Sequence, residues 1–277
     1  MNRISSQPAA RLTLVRPAPR PGTDGRRRPG PPALVAVAHG SRDPRALSTV
    51  HALLDRVRAL RPELPVHLGH IELNEPLLTD TLARLDATDT ADAVLVPLLL
   101  SRGYHVRRDI PETAAAARVR TRVAAPLGPH PLLVDALHAR LTEAGWRAPR
   151  TDAERRTSAV VLAAAGSRDP DAAVDTGRTA RLLSARLGVP VVPAYATTSA
   201  PTVPLAIKAL TARGRHHVAV ASYFTAPGRF ATESAAAAPG PAAAPLGPHE
   251  AMARLVLHRY DQAAATPART TAHLASA

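Results

Sequence analysis

Three side chains able to handle a divalent metal or a proton stand just after short apolar runs, and all three belong to one half of a chain that repeats itself. Ala38-His39-Gly40-Ser41-Arg42-Asp43-Pro44 returns as Ala164-Ala165-Gly166-Ser167-Arg168-Asp169-Pro170, with alanine in place of His39. Aligning Leu100-Ser101-Arg102-Gly103-Tyr104-His105 with Thr225-Ala226-Pro227-Gly228-Arg229-Phe230 keeps the glycine and replaces His105 by Phe230. Ile71-Glu72-Leu73-Asn74-Glu75-Pro76 matches Ala196-Thr197-Thr198-Ser199-Ala200-Pro201, so Glu72 becomes Thr197 while the proline stays. A turn needs Gly, Asp and Pro in both copies; it does not need His. Two imidazoles and a carboxylate make an open nitrogen and oxygen donor set suited to Fe²⁺ or Co²⁺. A neutral imidazole can also take up a proton near physiological pH.

Each of these residues has a plainer alternative. A histidine at a strand end can simply be hydrogen-bonded there, and a carboxylate after a strand often caps the next helix. Asp43 and Pro44 survive in the copy without histidine and read as structural; Gly40 and Ser41 fit either a tight turn or an anion contact at a helix N-terminus. By the two-residue alternation of a strand, His70 shares a face with Glu72 and is a candidate auxiliary ligand, although strand histidines are usually packed or solvated.

The elements that would hold these residues follow from the apolar pattern. Leu34-Val35-Ala36-Val37-Ala38 is a continuous apolar run, the mark of a strand buried on both faces. A helix follows, with Asp43 as N-cap, Pro44 in the first turn, and Ala46, Val50, Leu53, Leu54, Val57 and Leu60 at helical spacing. Next come a strand at 66–71, a helix from Pro76 to Leu85, a strand from Ala93 to Pro97 and a short helix after Pro111. A strand near Arg122-Val123-Ala124 and a helix from Leu132 to Glu143 close the half. The second half repeats the order with strands at Ala159–Ala163, Val189–Val192 and His217–Ala221 and helices at Pro170–Leu187 and Pro201–Ala212. Even Leu127-Gly128-Pro129-His130 returns, as Leu246-Gly247-Pro248-His249.

Such alternation predicts an α/β protein of two tandem flavodoxin-like domains, each a parallel sheet flanked by helices, related by internal duplication. The divisions are a disordered Arg- and Pro-rich extension at 1–30, an N-terminal domain at 31–147, an exposed linker at 148–157, a degenerate C-terminal domain at 158–264 and a tail at 265–277. In a flavodoxin-like order the first and third strands are neighbours at the switch point where ligands bind, so His39 and His105 should face one another.

Composition narrows the partners. The absence of cysteine removes disulfides, thiolate metal sites and cysteine nucleophiles, and it fits a reducing cytosol. No apolar run approaches the roughly 18 to 20 residues of a membrane helix, and the N-terminus has no signal-peptide core, so a cytoplasmic protein without membrane contact is expected. The formal charge is +13, of which Arg3, Arg11, Arg16, Arg20, Arg26, Arg27 and Arg28 against Asp24 supply +6, leaving +7 for the rest. That remainder suits a polyanionic ligand. Nucleic acid is disfavoured, because one Trp, two Phe and four Tyr are too few for a stacking platform.

His39-Gly40-Ser41-Arg42-Asp43-Pro44, Glu72 with Pro76, Val96-Pro97-Leu98-Leu99-Leu100-Ser101, Gly103-Tyr104-His105-Val106 and Asp109-Ile110-Pro111, taken in order, resemble the CbiX/SirB-type sirohydrochlorin chelatases. The resemblance is strong over 33–145 and degenerate over 158–260. It implies a class II chelatase that inserts a divalent metal into a tetrapyrrole without ATP and without a permanently bound cofactor. It also implies that His39 and His105 bind the incoming metal and help remove pyrrole protons; Glu72 is the third candidate catalytic residue. Iron, for sirohaem, is slightly preferred over cobalt, for cobalamin; a non-catalytic tetrapyrrole or metal carrier is the alternative. Sirohydrochlorin carries many carboxylates, so Ser41, Arg42, Arg102, Arg107 and Arg108 are candidate substrate contacts, with Arg168 and Arg229 as candidates from the second copy. A monomer or homodimer is expected, since an internal duplication can stand in for a dimer of single-copy units.

Overall fold

The computed structural model describes residues 30–88, 90–197 and 199–266; the expected extension and tail lie almost wholly outside them. The first half runs β1 (Ala33–Ala38), α1 (Pro44–Leu60), β2 (Val66–His70), α2 (Leu78–Ala87), β3 (Asp92–Pro97), α3 (Tyr104–Arg107), α4 (Asp109–Ala116), β4 (Arg120–Val123) and α5 (Pro131–Glu143). The second runs α6 (Asp152–Thr157), β5 (Ser158–Ala164), α7 (Pro170–Leu187), β6 (Val191–Tyr195), α8 (Val203–Thr211), β7 (His217–Tyr223), α9 (Arg229–Ala236) and α10 (Glu250–Ala265).

Both sheets are parallel, in the orders β2-β1-β3-β4 and β6-β5-β7. β1 and β5 are central and buried along their whole length, which is why they read as unbroken apolar runs rather than alternating ones. The expected adjacency of the first and third strands is present, with Val37 opposite Pro97 and, on the other side, Ala38 opposite His70.

Several boundaries move for identifiable reasons. The helix expected only after Pro111 begins at Asp109, because proline within a first turn lacks only an N–H that would have no partner there. The exposed stretch 148–157 contains α6, held by a Thr151/Glu154 capping box in which each side chain serves the other's backbone N–H. The second-half strand expected at 189–192 starts two residues later and reaches Tyr195.

The two turns after β1 and β5 are built alike. Asp43 and Asp169 accept from the backbone N–H two residues on, and Pro44 and Pro170 take the first helical position. Gly40 and Gly166 have φ of +106° and +91°. A side chain at Gly40 would run into the Glu72 carbonyl oxygen, so glycine is required by both conformation and space.

The closing helices cross over. α10, at the end of the second half, packs on α1, β3 and β4 of the first sheet, while α5, at the end of the first, packs on α7 and β7 of the second. Matching hydrogen bonds tie the exchange: Arg140 of α5 donates to the Leu246 carbonyl, and Arg259 of α10 donates to the Leu127 carbonyl at the equivalent position. Tyr260 donates to the Pro32 carbonyl at 2.6 Å. One apolar core consequently runs through both halves, from Leu53 and Leu54 through Leu137 and Leu183 to Leu255 and Val256.

Candidate metal-handling site

His39 leaves β1 on the turn just described, and His105 sits in the short helix α3 after β3. Because β1 and β3 are neighbours, both rings emerge at the carboxyl ends of adjacent strands. They meet edge to face, with centroids 4.7 Å apart and planes at 89°. Both Nδ1 atoms are engaged: that of His39 faces the Gly40 carbonyl at 3.3 Å and Glu72 Oε1 at 3.7 Å, and that of His105 lies 2.5 Å from Asp109 Oδ2. An imidazole that donates through Nδ1 keeps its lone pair on Nε2, the form in which histidine binds a metal or accepts a proton.

Glu72 is held beside His39 by the backbone. The Ile71 and Glu72 N–H groups donate to the Ala38 and His39 carbonyls, and the Ser41 N–H donates to Asn74 Oδ1 at 2.7 Å. Its contact with His39 is too long for a hydrogen bond but close enough to stabilise positive charge on the ring. Between Glu72 and Asn74, Leu73 takes a left-handed φ of 68° and remains 52% exposed, a conformation that a non-glycine residue adopts only where its surroundings impose it. His70 is nearly fully buried and accepts no role on an open surface: its Nδ1 faces the Pro76 carbonyl at 3.2 Å. Burial pushes the His70 pKa down, partly offset by that carbonyl.

Among the described residues no three His, Asp or Glu side chains converge closely enough to hold a metal ion by themselves. The arrangement is a pair of imidazoles, each with a carboxylate on its far nitrogen, that leaves most coordination positions open.

The imidazole pair borders a cleft of about 1100 Å³ lined by both halves. From the first half come His39, Ser41, Arg42, Leu73, Tyr104 and His105; the second contributes Ser167, Thr197, Ser199, Arg229, Phe230 and Glu233. The halves are joined across it by the Tyr223 hydroxyl, which donates to the Leu100 carbonyl at 2.8 Å, and by Thr225, which donates to the Leu98 carbonyl at 3.0 Å.

The arginines separate into two groups. Arg42 and Arg229 line the cleft, and Arg229 stacks 4.9 Å above the Phe230 ring. Arg102, Arg107 and Arg108, expected beside the substrate, do not line it. Arg102 is clamped on Asp175 by Nε and Nη2 at 2.9 and 2.8 Å, and Arg107 pairs with Asp169 and Asp171 at the start of α7. Arg108 faces Glu112 at 3.9 Å on the exposed surface. The acidic partners of Arg102 and Arg107, at the N-cap and in the first turns of α7, lie more than 60 residues away in sequence, at a separation no local pattern encodes. Arg168 lies outside the cleft lining as well.

Asp109 is the residue that sequence reasoning left without a role, although the His105-x-x-x-Asp109 spacing is that of side chains meeting on one helical face. Asn74 was likewise unassigned; nothing in its sequence neighbourhood singles it out.

The CbiX family model matches residues 33–144 and again 159–263. A sirohydrochlorin cobaltochelatase of Methanococcoides burtonii is 28% identical over 123 residues, covering 40% of this chain and 94% of that one. A sirohydrochlorin ferrochelatase of Bacillus subtilis is 31% identical over 176 residues, covering 61% of this chain and 64% of the relative. The solved structure of SirB from Bacillus subtilis with Fe³⁺ superposes with a TM-score of 0.69 at 24% identity, over 85% of this chain and 96% of that one, a likeness of fold.

Proposed function

Because the chain belongs to the CbiX family, we propose that it is a sirohydrochlorin chelatase, inserting a divalent metal into the macrocycle in the first-half site without ATP. The observation that carries this reading is the edge-to-face pair of His39 and His105 beside a cleft large enough for a macrocycle. Iron is the preferred metal: the ferrochelatase match runs over 176 residues, beyond one copy of the repeat, whereas the cobaltochelatase match runs over 123. Cobalt insertion is the alternative.

The net reaction exchanges two pyrrole protons for one divalent ion, so the site must hold the ion loosely and receive two protons. His39 and His105 offer two Nε2 lone pairs to the metal, and each lone pair is released as the metal passes to the macrocycle nitrogens. A released lone pair is then free to take one pyrrole proton. Glu72 beside His39 and Asp109 beside His105 stabilise the imidazolium ions so formed. The balance closes with two imidazoles for two protons, and no nucleophile or covalent intermediate is involved. Arg42 and Arg229, on opposite halves of the cleft, are the proposed partners of the substrate carboxylates, with the Ser41 turn beside Arg42.

An anaerobic insertion assay with Fe²⁺ and with Co²⁺, run on the wild type, His39→Ala and His105→Ala, tests the reading. Loss of insertion in both variants is expected. Full rate in both would refute the mechanism, and tetrapyrrole binding without insertion by the wild type would make the protein a carrier.

A further inference from the structure

Beside the cleft lies a second, smaller cavity of about 300 Å³, whose polar lining is His70, Glu72, Thr79, His105, Asp109 and Thr113. His70 and His105 line both cavities, so the two spaces meet at His105. Three features of the smaller one point to a cation. It carries two carboxylates and no lysine or arginine in its lining, whereas in the cleft Asp43 and Glu233 are balanced by Arg42 and Arg229, with Glu233 paired to Arg229 at 3.4 Å. His70 is only 2% exposed, and with Nδ1 turned to the Pro76 carbonyl its other ring nitrogen has no hydrogen-bond partner among the described residues. Its volume also suits a hydrated ion: six waters occupy roughly 180 Å³ at about 30 Å³ each.

The smaller cavity is thus acidic with no fixed cation, while the cleft is balanced and offers guanidinium groups. A polycarboxylate macrocycle is drawn to the cleft that holds the arginines, and once seated over His39 and His105 it closes that approach to the metal. We propose that the smaller cavity is a metal-entry chamber, in which a hydrated divalent cation passes Glu72, His70 and Asp109 and loses water before reaching the Nε2 atoms of the histidine pair. This rests on the metal-insertion reading given above. It assigns His70 a passing role: the second imidazole nitrogen of a buried side chain that lines the cavity replaces one water on the ion without joining a closed site.

Thr79 and Thr232 separate this route from the alternative. Both are exposed; Thr79 lines only the smaller cavity, and Thr232 lines only the cleft. Neither belongs to the histidine pair. In steady-state insertion with Co²⁺, Thr79→Arg should lower kcat/KM for the metal by roughly tenfold and Thr79→Glu should raise it, because a fixed charge at the mouth acts on a doubly charged ion. The value for the tetrapyrrole should stay unchanged in both, and Thr232→Arg should leave the metal value unchanged. Wild-type metal kinetics in both position-79 variants would overturn the proposal, as would a Thr232→Arg effect on the metal as large as that of Thr79→Arg. Should Thr79→Arg fail to fold, Thr79→Glu carries the test alone. An inactive wild type would sink the chelatase reading instead; stopped-flow uptake of Co²⁺ alone, followed by its absorption, then reads whether the sign of the charge at position 79 sets the rate, and an effect independent of sign overturns the chamber.

Discussion

The turns that follow β1 and β5 have nearly the same backbone and opposite uses. In the second copy the polar groups satisfy the chain itself: Thr197 donates to the Ala165 carbonyl at 2.6 Å, and Ser199 donates to the Ser167 carbonyl. In the first copy Asn74 takes over the bracing by accepting from the Ser41 N–H, and Glu72 is left with an exposed carboxylate beside an imidazole. One copy closes its hydrogen bonds and lines the cleft; the other leaves donors and acceptors open for chemistry. Gly-Ser-Arg-Asp-Pro is therefore a scaffold, and function is carried by positions the scaffold does not need.

The contrast can be broken most directly at the imidazoles. His39→Ala or His105→Ala should reduce metal insertion by about 10²-fold or more, the scale of a lost proton acceptor or ligand. Phe230→His added to the His39→Ala variant should not restore insertion, because Ala165 and Thr197 still stand at the other two positions; restored insertion would contradict the division of labour. The next effect is at Asp109, which orients His105. Asp109→Asn should lower insertion by roughly 10- to 100-fold, with partial recovery in Asp109→Glu and unchanged far-ultraviolet circular dichroism.

A smaller change is expected on the side that binds substrate. Arg229→Ala should raise KM for the tetrapyrrole by about tenfold with kcat nearly constant, since it removes a contact made equally in ground and transition states. An equal fall in kcat would move Arg229 into the chemistry. The smallest effect concerns only the joint between halves. Burial pushes the Asp175 carboxyl up, but the Arg102 guanidinium and backbone N–H more than offset this and hold it below the ordinary carboxylate range. Its folded pKa is thus lower than its unfolded one, near 3.9, so the stabilisation is present above that value and lost as pH falls through the depressed one. Asp175→Asn should lower Tm at pH 7, and the difference from wild type should shrink in thermal melts below about pH 4.

The parts legible in the sequence were those with a local cause. β1 and β5 show as apolar runs because both their faces are covered, and the two turns show because Gly40, Asp43 and Pro44 each answer a backbone demand. The approach of His39 to His105 followed from one rule about adjacent strands at a switch point. What stayed hidden depends on partners distant in sequence. Arg102 and Arg107 read in sequence as substrate contacts, but their guanidinium groups are taken up by Asp169, Asp171 and Asp175. The acidic lining that Glu72 and Asp109 give the smaller cavity joins the exit of β2 to the start of α4, a proximity no local pattern encodes. The crossing of α5 and α10 was equally invisible, because the repeat places each closing helix in the same sequence position whichever sheet it covers.

That crossing bears on how the molecule is made. The face of the first sheet that meets α10 is complete by Val123, yet its cover starts only at Glu250. At a synthesis speed of about 5 to 20 residues per second, the nascent first half waits on the order of ten seconds with that face open. A ribosome stalled between β7 and α10 would therefore carry a histidine pair already encoded on a sheet whose α10 face is not yet sealed.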